Sequence, residues 1–359
     1  PMGENPPTST ALNTYGWQLQ DLVVPETLNQ ARILWPSSNA NAMRGQKIHT
    51  GFKWKDRQFQ GPFLREIALM ISSNAAASGA TQIQWSVSYP SAFSRNEARG
   101  YKKCWADLCE DLKKDTGIDH DFLDEDGEGS LQTEAVAFAS YFGNHLDRQL
   151  VHTACLDVGG GTTDLSIWQE NKLLHQVSVK FAGQDICTRV MELKPSFIRL
   201  LFSNDTTGEI GNDEAKLRND PNFNSWFDNC LRYESESLLK DRLPILRSQE
   251  EKQLIDFISL MAISVGGIYH YLGLVLKGLD KEKLLLKQAP MSVYMGGNGA
   301  RFMHWLDESS SFSKGSDTDE LMGEIQIRST GFSDNAGGIA STTLSSQFKD
   351  ETACGLVSK

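Results

Sequence analysis

The sequence predicts an α/β protein. Helix-like and strand-like segments follow one another along the chain instead of separating into blocks. The centre of the chain, from His152 to Phe181, reads as strand, glycine turn, strand and further strand. The composition agrees: 40% of the 359 residues are hydrophobic and 23% are charged. That is ordinary globular usage and excludes a disordered, collagenous or coiled-coil chain. The length predicts about two domains, and the pattern divides them as 1–150 and 151–359.

Residues 1–45 are irregular and rich in Asn, Ser and Pro, and Lys47–Gln58 predicts a hairpin. Leu64, Ile67, Met70 and Ile71 recur at helical spacing, so Phe63–Ala76 predicts a helix. Ile83–Tyr89 alternates and predicts a strand ending at Pro90. Ser94 followed by Glu97 is a capping box for a helix over Arg95–Lys114. The acidic stretch Asp119–Gly129 superficially suggests calcium. Placing Gly127 at the sixth position of a calcium loop puts Phe122 first and Thr133 last, where Asp and Glu are needed. It predicts a solvated loop. Gln132–Phe142 predicts a helix of small residues. Pro195–Arg247 is polar and reads as an inserted, mostly helical lobe at about 195–250. Phe257–Leu279 is long and apolar enough to span a bilayer, but Ser259, Ser264, His270 and several glycines interrupt it. A helix buried in the fold is expected there, and no membrane span. Met291–Met295 predicts a strand, a helix starts from Arg301, and Asp350–Leu356 predicts a short final helix.

Lys and Arg number 35 against 46 Asp and Glu, a net charge of −11. Such a chain is poorly suited to gripping a nucleic acid backbone, so no nucleic acid partner is expected. The six cysteines form no CxxC pair. That excludes a zinc ribbon or thioredoxin-type site and suggests a reduced, cytoplasmic protein.

The chemistry is concentrated in Leu156–Trp168, LDVGGGTTDLSIW. Three consecutive glycines, Gly159, Gly160 and Gly161, offer bare N–H groups to an anion. Asp157 ends the incoming strand and Asp164 begins the outgoing one. Two carboxylates beside an anion cradle call for a cation between them. Mg²⁺ fits, since it keeps several waters and is held through one or two carboxylates and phosphate oxygens. Thr162 and Thr163 add hydroxyl groups. The chain has no Gly-Lys-Ser/Thr of a Walker loop, and a strand follows the glycines where a dinucleotide fingerprint needs a helix.

This stretch resembles the second phosphate loop of the actin and DnaK-type heat-shock chaperone ATPase superfamily. Other segments resemble it in the same order. They are SVSYPSAF at 86–93, QTEAVAFA at 132–139, AGQDI at 182–186, MGGNGAR at 295–301 and KDETACGL at 349–356. The resemblance implies a two-lobed actin-like ATPase fold built on ribonuclease-H-like sheets, binding ATP or ADP with Mg²⁺ between the lobes. It implies that Asp157 holds the Mg²⁺ waters with support from Asp164, and that Gly159 to Gly161 hold phosphates. Thr162 would lie near the γ-phosphate, and Gln132 would orient the attacking water as the actin glutamine does. Gly296, Gly297 and Arg301 would flank adenine and ribose, with Glu236 and Lys240 on the adenosine side. The first phosphate loop of the superfamily is not seen within residues 1–60. An incomplete first lobe is therefore expected: a piece of a longer protein, or a degenerate relative that does not hydrolyse nucleotide. Three uses of the fold stay open. They are a slow ATPase that switches a protein partner or client, a nucleotide-tuned filament or scaffold subunit, and a sugar or acid kinase. The last would want an aspartate base for which no motif is present.

Overall fold

The computed structural model describes residues 57–122, 131–183, 185–186, 245, 248–249, 252–285, 291–306, 339–347 and 350–358. The chain divides into two compact units. The first comprises Pro1–Val87, Ser94–Leu131 and Thr207–Ile210; the second comprises Ser88–Phe93, Gln132–Thr206 and Gly211–Lys359.

In the first unit, helices α1 (Arg57–Ala77) and α2 (Arg95–Thr116) accompany strands β1 (Gln82–Gln84) and β3 (Asp119–Asp121), which pair in parallel. The capping box forms as the sequence predicts. Ser94 Oγ accepts from the Glu97 N–H at 3.3 Å, and the Glu97 carboxylate accepts from the Ser94 N–H at 2.8 Å. Gly117 closes α2 with φ of 70°, the left-handed conformation that glycine adopts without a steric cost. Tyr101, Trp105, Leu108, Cys109 and Leu112 form the buried stripe of α2.

Two expectations change here. The start of the acidic loop is strand: His120 is buried on β3, and its Nδ1 accepts from Trp85 Nε1 at 3.0 Å. The strand expected over Ile83–Tyr89 is two strands: after Gln84 the Trp85 N–H still donates to the Asp121 carbonyl at 2.8 Å, while its ring packs on Trp105 and His120. The second piece, β2 (Val87–Tyr89), pairs with β4 (Leu131–Thr133) where the chain passes between the units.

The second unit is built on a five-stranded sheet. Strands β5 (His152–Val158), β6 (Thr163–Gln169) and β7 (Lys172–Val179) form an antiparallel meander. Strands β8 (Met291–Gly296) and β9 (Ile339–Leu344) extend it in parallel on the β5 side. The order is β7-β6-β5-β8-β9 with β6 alone antiparallel. This is a ribonuclease-H-like sheet, and with the motifs above it gives the chain an α/β, actin-like fold.

Helix α3 (Glu134–Ser140) continues into a π-helical turn, Tyr141–His145. Phe138, Tyr141 and Phe142 pack with Leu150, Cys155 and Tyr294 against the sheet. The Phe142 and Tyr294 rings stack with centroids 4.5 Å apart. The helix expected from Gln132 begins two residues later. Thr133 takes the N-cap with extended backbone, and its hydroxyl accepts from the Val136 N–H at 3.3 Å. Gln132 therefore lies on β4.

Helix α4 (Lys252–Lys281) is longer than the expected Phe257–Leu279. Phe257, Met261, Val265, Ile268, Leu272, Leu276 and Leu279 form a buried stripe, and the Tyr269 hydroxyl meets Thr342 Oγ1 of β9 at 2.9 Å. Ile255, Ile263 and Leu274 lie exposed. Its Leu254–Lys281 portion is long and apolar enough to cross a membrane by length and composition. A 3-10 turn, Asn298–Trp305, stands where a helix was expected from Arg301. The hairpin expected over 47–58 and the inserted lobe at about 195–250 lie almost wholly outside the described residues, although Arg57 and Gln58 belong to α1.

The closing helix α5 (Glu351–Val357) packs on α3 through Gly355. A Cβ there would collide with the Ala137 carbonyl and come within 2.8 Å of the Tyr141 nitrogen, both backbone atoms that cannot swing aside. Gly355→Ala should destabilise the protein by about 1–3 kcal/mol, as overpacking does. Urea denaturation of the two proteins measures it; an unchanged midpoint would mean that the two helices separate freely.

Candidate functional site

The register of the sheet brings the predicted carboxylates together. Asp157 pairs across the hairpin with Asp164, and Val158 pairs with Thr163. On its other side Asp157 lies opposite Gly296 of β8, while Asp164 lies opposite Ser178 of β7. Ser178, Asp164, Asp157 and Gly296 thus make one row across four strands.

The turn between the strands is closed by the Gly159 N–H, which donates to the Thr162 carbonyl at 2.9 Å. The Gly159 carbonyl accepts from the Gly183 N–H at 3.0 Å. A Cβ on Gly299 would lie 2.5 Å from that same carbonyl oxygen, and one on Gly183 would lie 2.8 Å from the Gly299 Cα. Three loops therefore touch backbone to backbone. Gly297 has φ of 81°, and a Cβ on it would collide with Asp157 Oδ1 and lie 2.6 Å from the Val158 carbonyl oxygen. The motif segments at 157–164, 182–186 and 295–301 are one assembly.

Gly160 and Gly161 behave differently. A Cβ on either would meet nothing within 4 Å, and neither has a left-handed φ. The fold makes no demand for glycine at these two positions. Gly161 and Thr162 are exposed at the tip. Thr163 is buried, and its hydroxyl donates to the Phe181 carbonyl at 2.6 Å, tying the hairpin to the 182–186 segment.

The electrostatics combine burial with like charge. Burial, followed by repulsion from Glu134, Glu351 and Asp164, pushes the Asp157 carboxyl up to about 8. Burial and then Glu134 push Asp164 up to about 6, and the nearby Ser91 and Ser178 soften the effect. The buried Asp164 Oδ1 has no hydrogen-bond partner among the described residues. Asp157 Oδ2 accepts from Thr352 Oγ1 at 3.2 Å, and Glu351 Oε1 accepts from the Gly297 N–H at 3.1 Å.

Among the described residues no three His, Cys, Asp or Glu side chains gather as a metal-chelating group. A facing carboxylate pair with acid neighbours and an orphaned oxygen has the donor chemistry for Mg²⁺.

The remaining predicted residues are spread around this core. Gln132, on β4, carries a buried Oε1 that has no hydrogen-bond partner among the described residues. Arg301 lies on the 3-10 turn after Gly297. Glu236 and Lys240 lie outside the described residues. Glu134, Glu351 and Thr352 were missed by sequence reasoning, although they sit inside the 132–139 and 349–356 segments that it had singled out.

No protein-family profile and no curated protein sequence matches the chain. Among solved structures it is similar to the ethanolamine utilization protein EutJ from Carboxydothermus hydrogenoformans. That likeness has 15% identity and a TM-score of 0.36, covering 82% of this chain and 72% of that one. It is also similar to MreB5 of Spiroplasma citri bound to ADP, at 17% identity and a TM-score of 0.28, covering 39% of this chain and 37% of that one.

The raised carboxyls set a pH dependence with a definite sign. The folded chain holds these protons more tightly than the unfolded chain, whose Asp residues titrate near 3.8. Their stabilising contribution is complete below about pH 4 and is lost as pH rises through about 6 for Asp164 and about 8 for Asp157. Asp157→Asn should therefore raise the melting temperature of the ligand-free protein at about pH 9 more than at about pH 5. Differential scanning fluorimetry across that range measures the difference; an equal effect at both ends would contradict the repulsive arrangement.

Proposed function

We propose that the chain binds ATP or ADP with Mg²⁺ at the β5–β6 hairpin and, once a complete phosphate clamp is present, hydrolyses ATP slowly to switch conformation or partner binding. One observation carries the reading. Between two facing carboxylates stand Gly160 and Gly161, at which the fold has neither a steric nor a conformational need for glycine. Glycine there is explained by something outside the chain that must come close to the backbone.

In this reading the N–H groups of Gly160 and Gly161 donate to phosphate oxygens, the Gly159 N–H being engaged by the Thr162 carbonyl, and Thr162 lies at the γ-phosphate. Asp157 and Asp164 hold Mg²⁺ through its waters. When bound, the cation offsets the charge of the carboxylates and of the phosphates together. Gly296 and Gly297, held at Asp157 by the sheet, turn the chain toward the adenosine side, where Arg301, Glu236 and Lys240 would contribute. Gln132 has an amide that does not titrate, so it can only hold and orient a water, donating and accepting hydrogen bonds. That suits slow hydrolysis by positioning. The client or partner would be a protein that distinguishes the nucleotide states.

The decisive experiment substitutes the turn where the fold tolerates a side chain. Gly160→Val should leave the melting temperature within a few degrees of wild type, because its Cβ meets open space, and should weaken ATP–Mg²⁺ binding at least about tenfold, roughly 1.4 kcal/mol. Asp157→Ala should weaken it similarly with Mg²⁺ present. Calorimetric titration of the full chain with ATP, with and without Mg²⁺, reads both. Unchanged affinity in a folded Gly160→Val protein, or no ATP binding by the wild type, would overturn the site.

A further inference from the structure

We infer that Thr352 is a positioning residue for Asp157, and that its hydroxyl sets how well this carboxylate engages a divalent cation. The inference deepens the reading of Asp157 as a cation-holding group and rests on it. Asp157 sits among Glu134, Glu351 and Asp164, all of which push its carboxylate away. The interaction that favours its charged form is the Thr352 hydroxyl, which donates to Oδ2 at 3.2 Å. On the other side, Oδ1 is closed in by Gly297, where even a Cβ would collide with it. The carboxylate is thus held between a donor and a backbone wall.

The donor does not stand alone. Its neighbour Glu351 is 1% exposed, and its Oε1 accepts the Gly297 N–H at 3.1 Å while closing over Gly296. Two adjacent residues of one segment therefore fix the two flanks of the same carboxylate. Thr352 orients it directly, and Glu351 fixes the glycine wall behind it. A hydroxyl is the right group for this position. It donates without adding charge, so it leaves the carboxylate free to be neutralised by the cation. A cationic donor would compete for that role.

The test compares Thr352→Val, which keeps the shape and removes the donor, with Thr352→Ser, which keeps the donor, and with Thr352→Ala as a second deletion. The full chain is titrated with ATP at increasing Mg²⁺ and again in a chelator. Thr352→Val and Thr352→Ala should require about three- to tenfold more Mg²⁺ for half-maximal binding, the scale of one lost hydrogen bond. Affinity in the chelator should not change, and serine should restore the Mg²⁺ response. An equal loss with and without Mg²⁺, or no rescue by serine, would overturn the positioning role.

A crystal structure of each ligand-free variant supplies a readout that does not depend on nucleotide binding. The Asp157 carboxylate should rotate away from its wild-type orientation in the valine and alanine proteins and keep it in the serine protein. If the orientation persists without the hydroxyl, Thr352 is not what holds Asp157. If the wild type binds no ATP while the rotation occurs as expected, the nucleotide reading fails and the positioning of Asp157 stands.

Discussion

Everything at the candidate site depends on the closeness with which three stretches of backbone meet. Gly183 and Gly299 come together at the Gly159 carbonyl with no room for a methyl group between them. A side chain at Gly183 or Gly299 would push the loops apart by the thickness of an atom. The Asp157–Asp164 pair would then lose its relation to the Gly297 turn. The glycines act in two distinct ways within this short span. Those at 183, 297 and 299 let the protein touch itself. Those at 160 and 161 leave an open face, which the fold does not use.

Against this attraction of backbones works a repulsion of charges. Cross-strand like charges weaken a sheet, and here the pair is reinforced by Glu134 and Glu351. A sequence evolving for stability alone has simple remedies, such as an asparagine in either place. The ligand-free protein instead carries a strain that a bound cation would relieve. Stability is drawn from other places: the aromatic packing of Phe138, Phe142 and Tyr294, and the close crossing of α3 and α5.

Much of this was legible in the sequence, and the reasons differ by element. The hairpin could be read because its signal is local. A strand, three glycines and a second strand lie within thirteen residues, and carboxylate placement follows from the pairing. The α2 helix could be read because its cap is a four-residue pattern. Gln132 was placed on a helix because small residues follow it; the pattern could not show that Thr133, and not an earlier residue, would cap. Alternation makes Ile83–Tyr89 look like one strand, since it says nothing about the break after Gln84, where the Trp85 ring packs on Trp105 and His120. Glu351 and Thr352 could not be assigned roles at all. Their partners are far away in the chain, and no spacing encodes that distance.

That distance has a kinetic meaning. The Thr352–Asp157 contact joins positions 195 residues apart. The hairpin of β5 and β6 needs only its own turn to form, and such local pairing takes microseconds. Bringing α5 onto it requires closing a very long loop, whose entropic cost must be met before any contact rewards it. The site thus joins a local half, the two aspartates on one hairpin, to a remote half, the Thr352 hydroxyl, whose contact carries the larger loop-closure cost.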